Sequence, residues 1–263
     1  MNKTILLTAI IAAFIMAGCA SGEKGKEGGG HRAYSAESIQ KEIDDNWESL
    51  GYAEKPIKYI ALTFDDGPAG AETQEFLDIL SEKRVRATFF LIGRNIRSNK
   101  TAAQAIFEAG HELANHSDGY AGLGGDTAIG TIRDSLAAAS AEIRAITGED
   151  PWFFRAPNVA YGANLAAVCA ELGMPLIGAN VWSNDWQSDN SAEQCKNNVL
   201  SAAKDGGVIN CHEANTSGDR TLPILAGMID GLREGGFWIM SVGELAAIKG
   251  KTLTAGERYD SID

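Results

Sequence analysis

Two adjacent carboxylates, Asp65 and Asp66, lie in the run Thr63-Phe64-Asp65-Asp66-Gly67-Pro68, which closes a strand-like stretch holding Ile57, Tyr59, Ile60, Ala61 and Leu62. Paired acids at a strand end can divide two jobs, one holding a metal and the other moving a proton. Side chains on an extended chain alternate faces, so this pair diverges unless the strand end twists before the Gly-Pro break. Read alone, Asp-Asp-Gly-Pro also makes a plain turn. Of the four histidines, His31 lies in a polar glycine-rich stretch and His111 is flanked by apolar residues, where a structural imidazole is expected. His116 and His212 instead follow short apolar runs, beside polar or acidic neighbours, and no apolar stripe accounts for them. Arg155, Asp185 and Trp186 stand in similar places. Taken singly, Arg155 could form a surface ion pair and Asp185 a turn ahead of a helix.

The elements around these residues supply a common address. From residue 57 onward, short β-branched or aromatic runs alternate with helical stretches. Strands are expected at 87–92, 111–115, 152–155, 175–181, 208–211 and 237–241, and helices at 71–83, 101–109, 164–172, 191–204 and 222–234. The pattern Ile129, Ile132, Leu136, Ala139, Ile143, Ile146, at spacings of three and four, defines an amphipathic helix over 126–147. Such alternation argues for an α/β fold with a parallel sheet, and close to seven repeats favour a barrel over a doubly wound sheet. Functional groups then gather at the carboxyl ends of the strands, where Asp65, Asp66, His116, Arg155, Asp185, Trp186 and His212 are expected.

Lys3 followed by an apolar run over 5–17 is too short for a comfortable membrane span and reads as a secretory signal. It ends in Met16-Ala17-Gly18-Cys19, which resembles the lipobox of bacterial lipoproteins with Met16 in place of the usual leucine. The expected organisation is a lipoprotein signal peptide at 1–18, a flexible linker at 19–36, a helical extension at 37–55, one catalytic domain at 56–250 and a tail at 251–263. A lipid at Cys19 would tether the exported chain to a membrane at the cell surface or in the periplasm. The net charge of −12 disfavours nucleic acid and suits a neutral or weakly charged polymer. Cys169, Cys195 and Cys211 lack a metal-type spacing and are expected as buried free thiols.

Together the strand-end residues resemble the polysaccharide deacetylases of carbohydrate esterase family four, the NodB-like domain. The resemblance covers roughly residues 58–249 and rests on Thr63 to Pro68, Asn115-His116-Ser117, Phe154-Arg155-Ala156-Pro157, Asp185-Trp186 and His212-Glu213. It implies a distorted (β/α)7 barrel and a hydrolase that removes acetyl groups. Asp66 and His116 would hold a divalent metal, zinc first, with cobalt or nickel as alternatives. Asp65 would be the general base, oriented by Arg155, and His212 the acid, with Asp185 favouring its charged form. Trp186 and Trp182 would border the acetyl pocket, and a backbone N–H near Asn158 would meet the oxyanion.

The resemblance breaks where the family normally carries a second metal-binding histidine four residues after the first, since Tyr120 stands there. A neutral phenol is a poor ligand, so Tyr120 must ionise, act through water or leave the site. Asn158 replaces a usual tyrosine, Trp182-Ser183-Asn184 precedes Asp185 without the common earlier aspartate, and Asn210 replaces a leucine. This combination is similar to a branch that includes bacterial acetylxylan esterases, which favours O-deacetylation of xylan or its oligosaccharides by a monomer. An N-deacetylase of peptidoglycan or chitooligosaccharides, and a non-catalytic carbohydrate-binding lipoprotein, are the alternatives.

Overall fold

The computed structural model describes residues 34–120, 123–213 and 220–263, which belong to one unit. The expected signal peptide, Cys19, His31 and nearly all of the linker lie outside the described residues. In chain order the first elements are α1 (Ala36–Asn46), β1 (Lys58–Asp65), α2 (Ala71–Glu82), β2 (Thr88–Leu91), α3 (Gly93–Ser98), α4 (Lys100–Glu108) and β3 (Glu112–Asn115). There follow α5 (Ile129–Thr147), α6 (Ala163–Glu171), β4 (Leu176–Ile177), β5 (Val181–Trp182) and α7 (Ala192–Ala202). The last are β6 (Gly207–His212), α8 (Leu222–Glu234), β7 (Phe237–Met240), α9 (Val242–Ile248) and β8 (Arg258–Tyr259).

All these strands pair in parallel, with β1 at the centre of the order β3-β2-β1-β6-β5. The first half of β1 pairs with β7 and its second half with β2, while β6 runs along the other edge. Alternation along β1 sends Ile60, Leu62 and Phe64 outward, into a core shared with Phe76 and Leu80 of α2 and with Met228 and Ile229 of α8. The opposite face turns Ala61 towards an interior cluster with Phe90, Ala114, Ile177 and Val208. Phe154 bridges Asn115 on one side and Leu176 on the other, so the ring continues from β3 to β4. It opens between β4 and β5.

That opening is where the structure departs from the expected strands. The strand at 152–155 reduces to the bridge at Phe154, and the one at 175–181 splits into β4 and β5. Side chains take over the backbone groups there. Arg155 donates to the carbonyls of Ile177 (3.1 Å) and Gly178 (2.8 Å), and Asn180 Oδ1 accepts from the Val208 N–H (3.0 Å). The segment read as a tail carries β8, which pairs with β4 and is followed by the fully buried Ile262.

Of the stripe expected on α5, Ile132, Leu136, Ala139 and Ile143 are buried, Ile146 is partly buried and Ile129, at the first turn, is exposed, and the helix stops at Gly148 in the left-handed conformation. Neither α3 nor α9 was apparent in the sequence. A Cβ at Gly93 in α3 would lie 2.9 Å from the Ala139 backbone, so only glycine permits that approach to α5. His111 is the structural imidazole expected: its Nδ1 accepts from the Ala87 N–H, and burial, helped by Arg86, pulls its pKa down to about 4. Cys169, Cys195 and Cys211 are buried free thiols. No described helix is long and apolar enough to cross a membrane.

Candidate active site

Register sets the site. Thr63 pairs with Asn210 and Asp65 with His212 across β1 and β6, so four side chains from two neighbouring strands face the barrel interior in two layers. Asp65 is buried, and its two oxygens are held separately: Oδ1 accepts from Arg155 Nη1 at 2.7 Å and Oδ2 from Asn210 Nδ2 at 2.9 Å. Burial pushes the Asp65 carboxyl up, but Arg155, His116 and His212 outweigh it and hold the group below its ordinary value. Arg155 is itself 1% exposed, lies over the Phe90 ring at 4.1 Å, and gives its Nη1 also to Thr63 Oγ1 at 2.7 Å.

Asp66 escapes the divergence expected of neighbours on a strand by taking left-handed backbone, φ 73°. Such a conformation costs a residue other than glycine on the order of 1–3 kcal/mol and concentrates at functional sites. Ser117, Asn158, Val159 and Asn184 adopt it too, all in loops that follow strand ends. Asn95 Nδ2 fastens the Asp66 carbonyl at 2.7 Å, and Asp66 Oδ1 then lies 3.5 Å from His116 Nε2. Asp65 Oδ2 is 3.9 Å from the same nitrogen.

The buried His116 places Nδ1 2.8 Å from the Arg155 carbonyl. A carbonyl only accepts, so Nδ1 carries the proton and Nε2 is left facing both carboxylates. This donor pair, a carboxylate and an oriented imidazole, fits a divalent cation. Among the described residues no three of His, Cys, Asp and Glu are placed to hold a metal ion together. Tyr120 stands at the rim, 39% exposed, under the Arg94 guanidinium at 4.6 Å. Burial first and Asp66 second raise the pKa of its hydroxyl, which keeps the phenol neutral.

Opposite this pair, Asp185 is fully buried and binds His212 twice, through Nδ1 (2.7 Å) and through the backbone N–H (2.8 Å). Burial lowers the imidazole pKa, but the hydrogen bond and charge of Asp185, with Asp65 and Asp66 behind it, push it up to about 9. Trp186 meets the His212 ring edge-on at 5.5 Å, and Trp182 meets Trp186 at 5.8 Å. Asn158 is exposed in the turn that follows Arg155.

Two contributors, Thr221 and Arg220, were not singled out in the sequence, and a third, Glu213, stood in the motif His212-Glu213 without a role. Thr221 Oγ1 donates to Asp185 Oδ2 at 2.5 Å, and Arg220 clamps the loop after β5 through the carbonyls of Asp185, Ser188 and Asn190. Both precede α8, where nothing local marks them. Glu213 Oε1 accepts from the Ala69 N–H and the Thr73 hydroxyl, while Oε2 faces Gly67 and has no hydrogen-bond partner among the described residues. Burial pushes this carboxyl up to about 7.

Comparison with known proteins points to one family. Residues 52–177 match the family model described as polysaccharide deacetylase. A bifunctional xylanase/deacetylase of Pseudobutyrivibrio xylanivorans is 37% identical over 73% of the chain and 31% of its own length. A peptidoglycan-N-acetylglucosamine deacetylase of Listeria monocytogenes is 31% identical over 78% of the chain and 42% of its own length. The chain thus spans less than half the length of these two relatives. The structure of a family 4 acetyl xylan esterase from Clostridium thermocellum, in complex with a cobalt ion, superimposes with a TM-score of 0.73 at 31% identity, covering 78% of this chain and 99% of the other. With this architecture and these residues at its strand ends, the chain belongs to the polysaccharide deacetylase family, carbohydrate esterase family 4.

Proposed function

We propose that the protein is an exported, metal-dependent esterase, tethered through Cys19, that removes O-acetyl groups from acetylated xylan or its oligosaccharides. The observation that carries this reading is the assembly of a base, Asp65 on Arg155, and an acid, His212 on Asp185, on either side of the Asp66–His116 donor pair. A divalent metal there, zinc or alternatively cobalt or nickel, would supply Lewis-acid polarisation of the acetyl carbonyl and a more acidic water.

The remaining work falls to the chain. Asp65 stays ionised beside Arg155 and takes the proton of the attacking water. The backbone N–H near Asn158 offers a donor to the developing oxyanion. His212 commits Nδ1 to Asp185, so Nε2 gives its proton to the departing sugar oxygen. Trp186 and Trp182 shield that side from water. Tyr120, stacked under Arg94, offers the metal a weaker donor than the usual histidine, which weakens the hold on the metal. An alkoxide leaves more readily than an amine, so an ester tolerates this weaker site better than an acetamide does. The likeness to a xylanase/deacetylase and to an acetyl xylan esterase supports the same choice.

A second reading, N-deacetylation of peptidoglycan or chitooligosaccharides, is favoured by the likeness to the Listeria deacetylase, since the same acid and base would serve it. Acetate release should be compared on acetylated xylan and on chitooligosaccharides with zinc, cobalt or nickel. Faster release from xylan is expected. A clear preference for the acetamide selects the second reading, and no release from either with any metal removes both.

A further inference from the structure

We infer that Asn210 is a positioning residue that aims the base, an inference that rests on the reading of Asp65 as that base. Arg155 approaches the Asp65 carboxylate through Nη1 alone and only at Oδ1. Nη1 also meets Thr63 Oγ1, while Nε and Nη2 turn to the carbonyls of Ile177 and Gly178. One hydrogen bond to one oxygen fixes where a carboxylate sits and leaves its plane free to turn. The second bond, from Asn210 Nδ2 to Oδ2, removes that freedom. Oδ2 is the oxygen that faces His116 Nε2, so Asn210 fixes the atom that must meet the proton.

The strand register explains why this position can do so. Asn210 lies opposite Thr63, one interior layer below Asp65 and His212, and is 2% exposed. An amide buried in that layer requires a partner, and the carboxylate supplies it. An apolar side chain of similar volume there would pack equally well and leave Oδ2 with neither direction nor donor.

Acetate release from acetylated xylooligosaccharides by the full chain tests this, using Asn210→Leu, and Asn210→Ala should the first variant fold poorly. The expected result is a fall in kcat of about tenfold to a hundredfold, the worth of one hydrogen bond to a charged group, with KM changed by less than about twofold. In an Asp65→Asn background the same substitution should change the residual kcat by less than about twofold, because orientation of the carboxylate no longer matters. An unchanged kcat in the single variant overturns the inference, as does an equal loss in both backgrounds or a loss carried by KM. A wild type that releases no acetate from any acetylated sugar sinks the assignment of Asp65 as base and this role with it, whereas an active wild type matched by Asn210→Leu sinks this role alone.

Discussion

His212 keeps its proton well into alkaline solution because three carboxylates face it and one of them, Asp185, binds it directly. In its proposed role as acid it would work while protonated, so kcat should fall as pH rises through about 9. Asp185→Asn removes the main charge, and it should move that limb towards the ordinary histidine value and lower kcat by roughly 10²- to 10⁴-fold. A pH–rate profile of both proteins checks this; an alkaline limb that stays in place would reassign the acid. The raised value also adds to stability, a contribution complete below about 6.5 and lost as pH rises through about 9. At Tyr120 the expected gain runs the other way. Tyr120→His offers a second imidazole, so the metal concentration that half-activates the enzyme should fall by roughly tenfold or more, read by titration of the metal-stripped protein.

At the scale of elements, the site depends on how β6 is fastened to the turn after β1. Glu213, next to His212, ties that turn to the start of α2 through Ala69 and Thr73. Its carboxyl titrates near 7 in the folded chain against an ordinary 4.5, so the folded state retains a proton that the unfolded chain releases. Stability should therefore decline as pH rises from about 4.5 to about 7, by roughly 3 kcal/mol, and level off above. Glu213→Gln should flatten that slope in denaturant titrations across the interval. The apolar run of β1 was legible because that central strand is buried on both faces, and the period of α5 because the helix buries one stripe. The short α3 and α9 were not, since six or seven residues carry too little periodicity, and the capping box of Ser241 with Glu244 reads as the end of β7 until the helix behind it is seen. Of the site, every strand-end residue was readable from its type and place. The partners Thr221 and Arg220 were not, because they reach Asp185 from the segment just before α8, some 35 residues away in the chain.

For the molecule as a whole, the ring of strands stays open between β4 and β5, and two devices hold its margins. One is β8, which pairs with β4 and brings Ile262 into the core. Removal of residues 251–263 should lower Tm by several degrees or more and should lower activity in proportion to unfolding, which thermal denaturation and acetate release would show together. The other is Arg155, which joins Ile177 and Gly178 at the opening to Thr63 and Asp65 on β1. A relative that had given up deacetylation would, on losing this arginine, still lose four hydrogen bonds that tie the opening to β1. The same side chain holds Asp65 Oδ1, so its retention in a related chain testifies to architecture as much as to chemistry, and inheritance of the acid is better judged from the ring contact of His212 with Asp185.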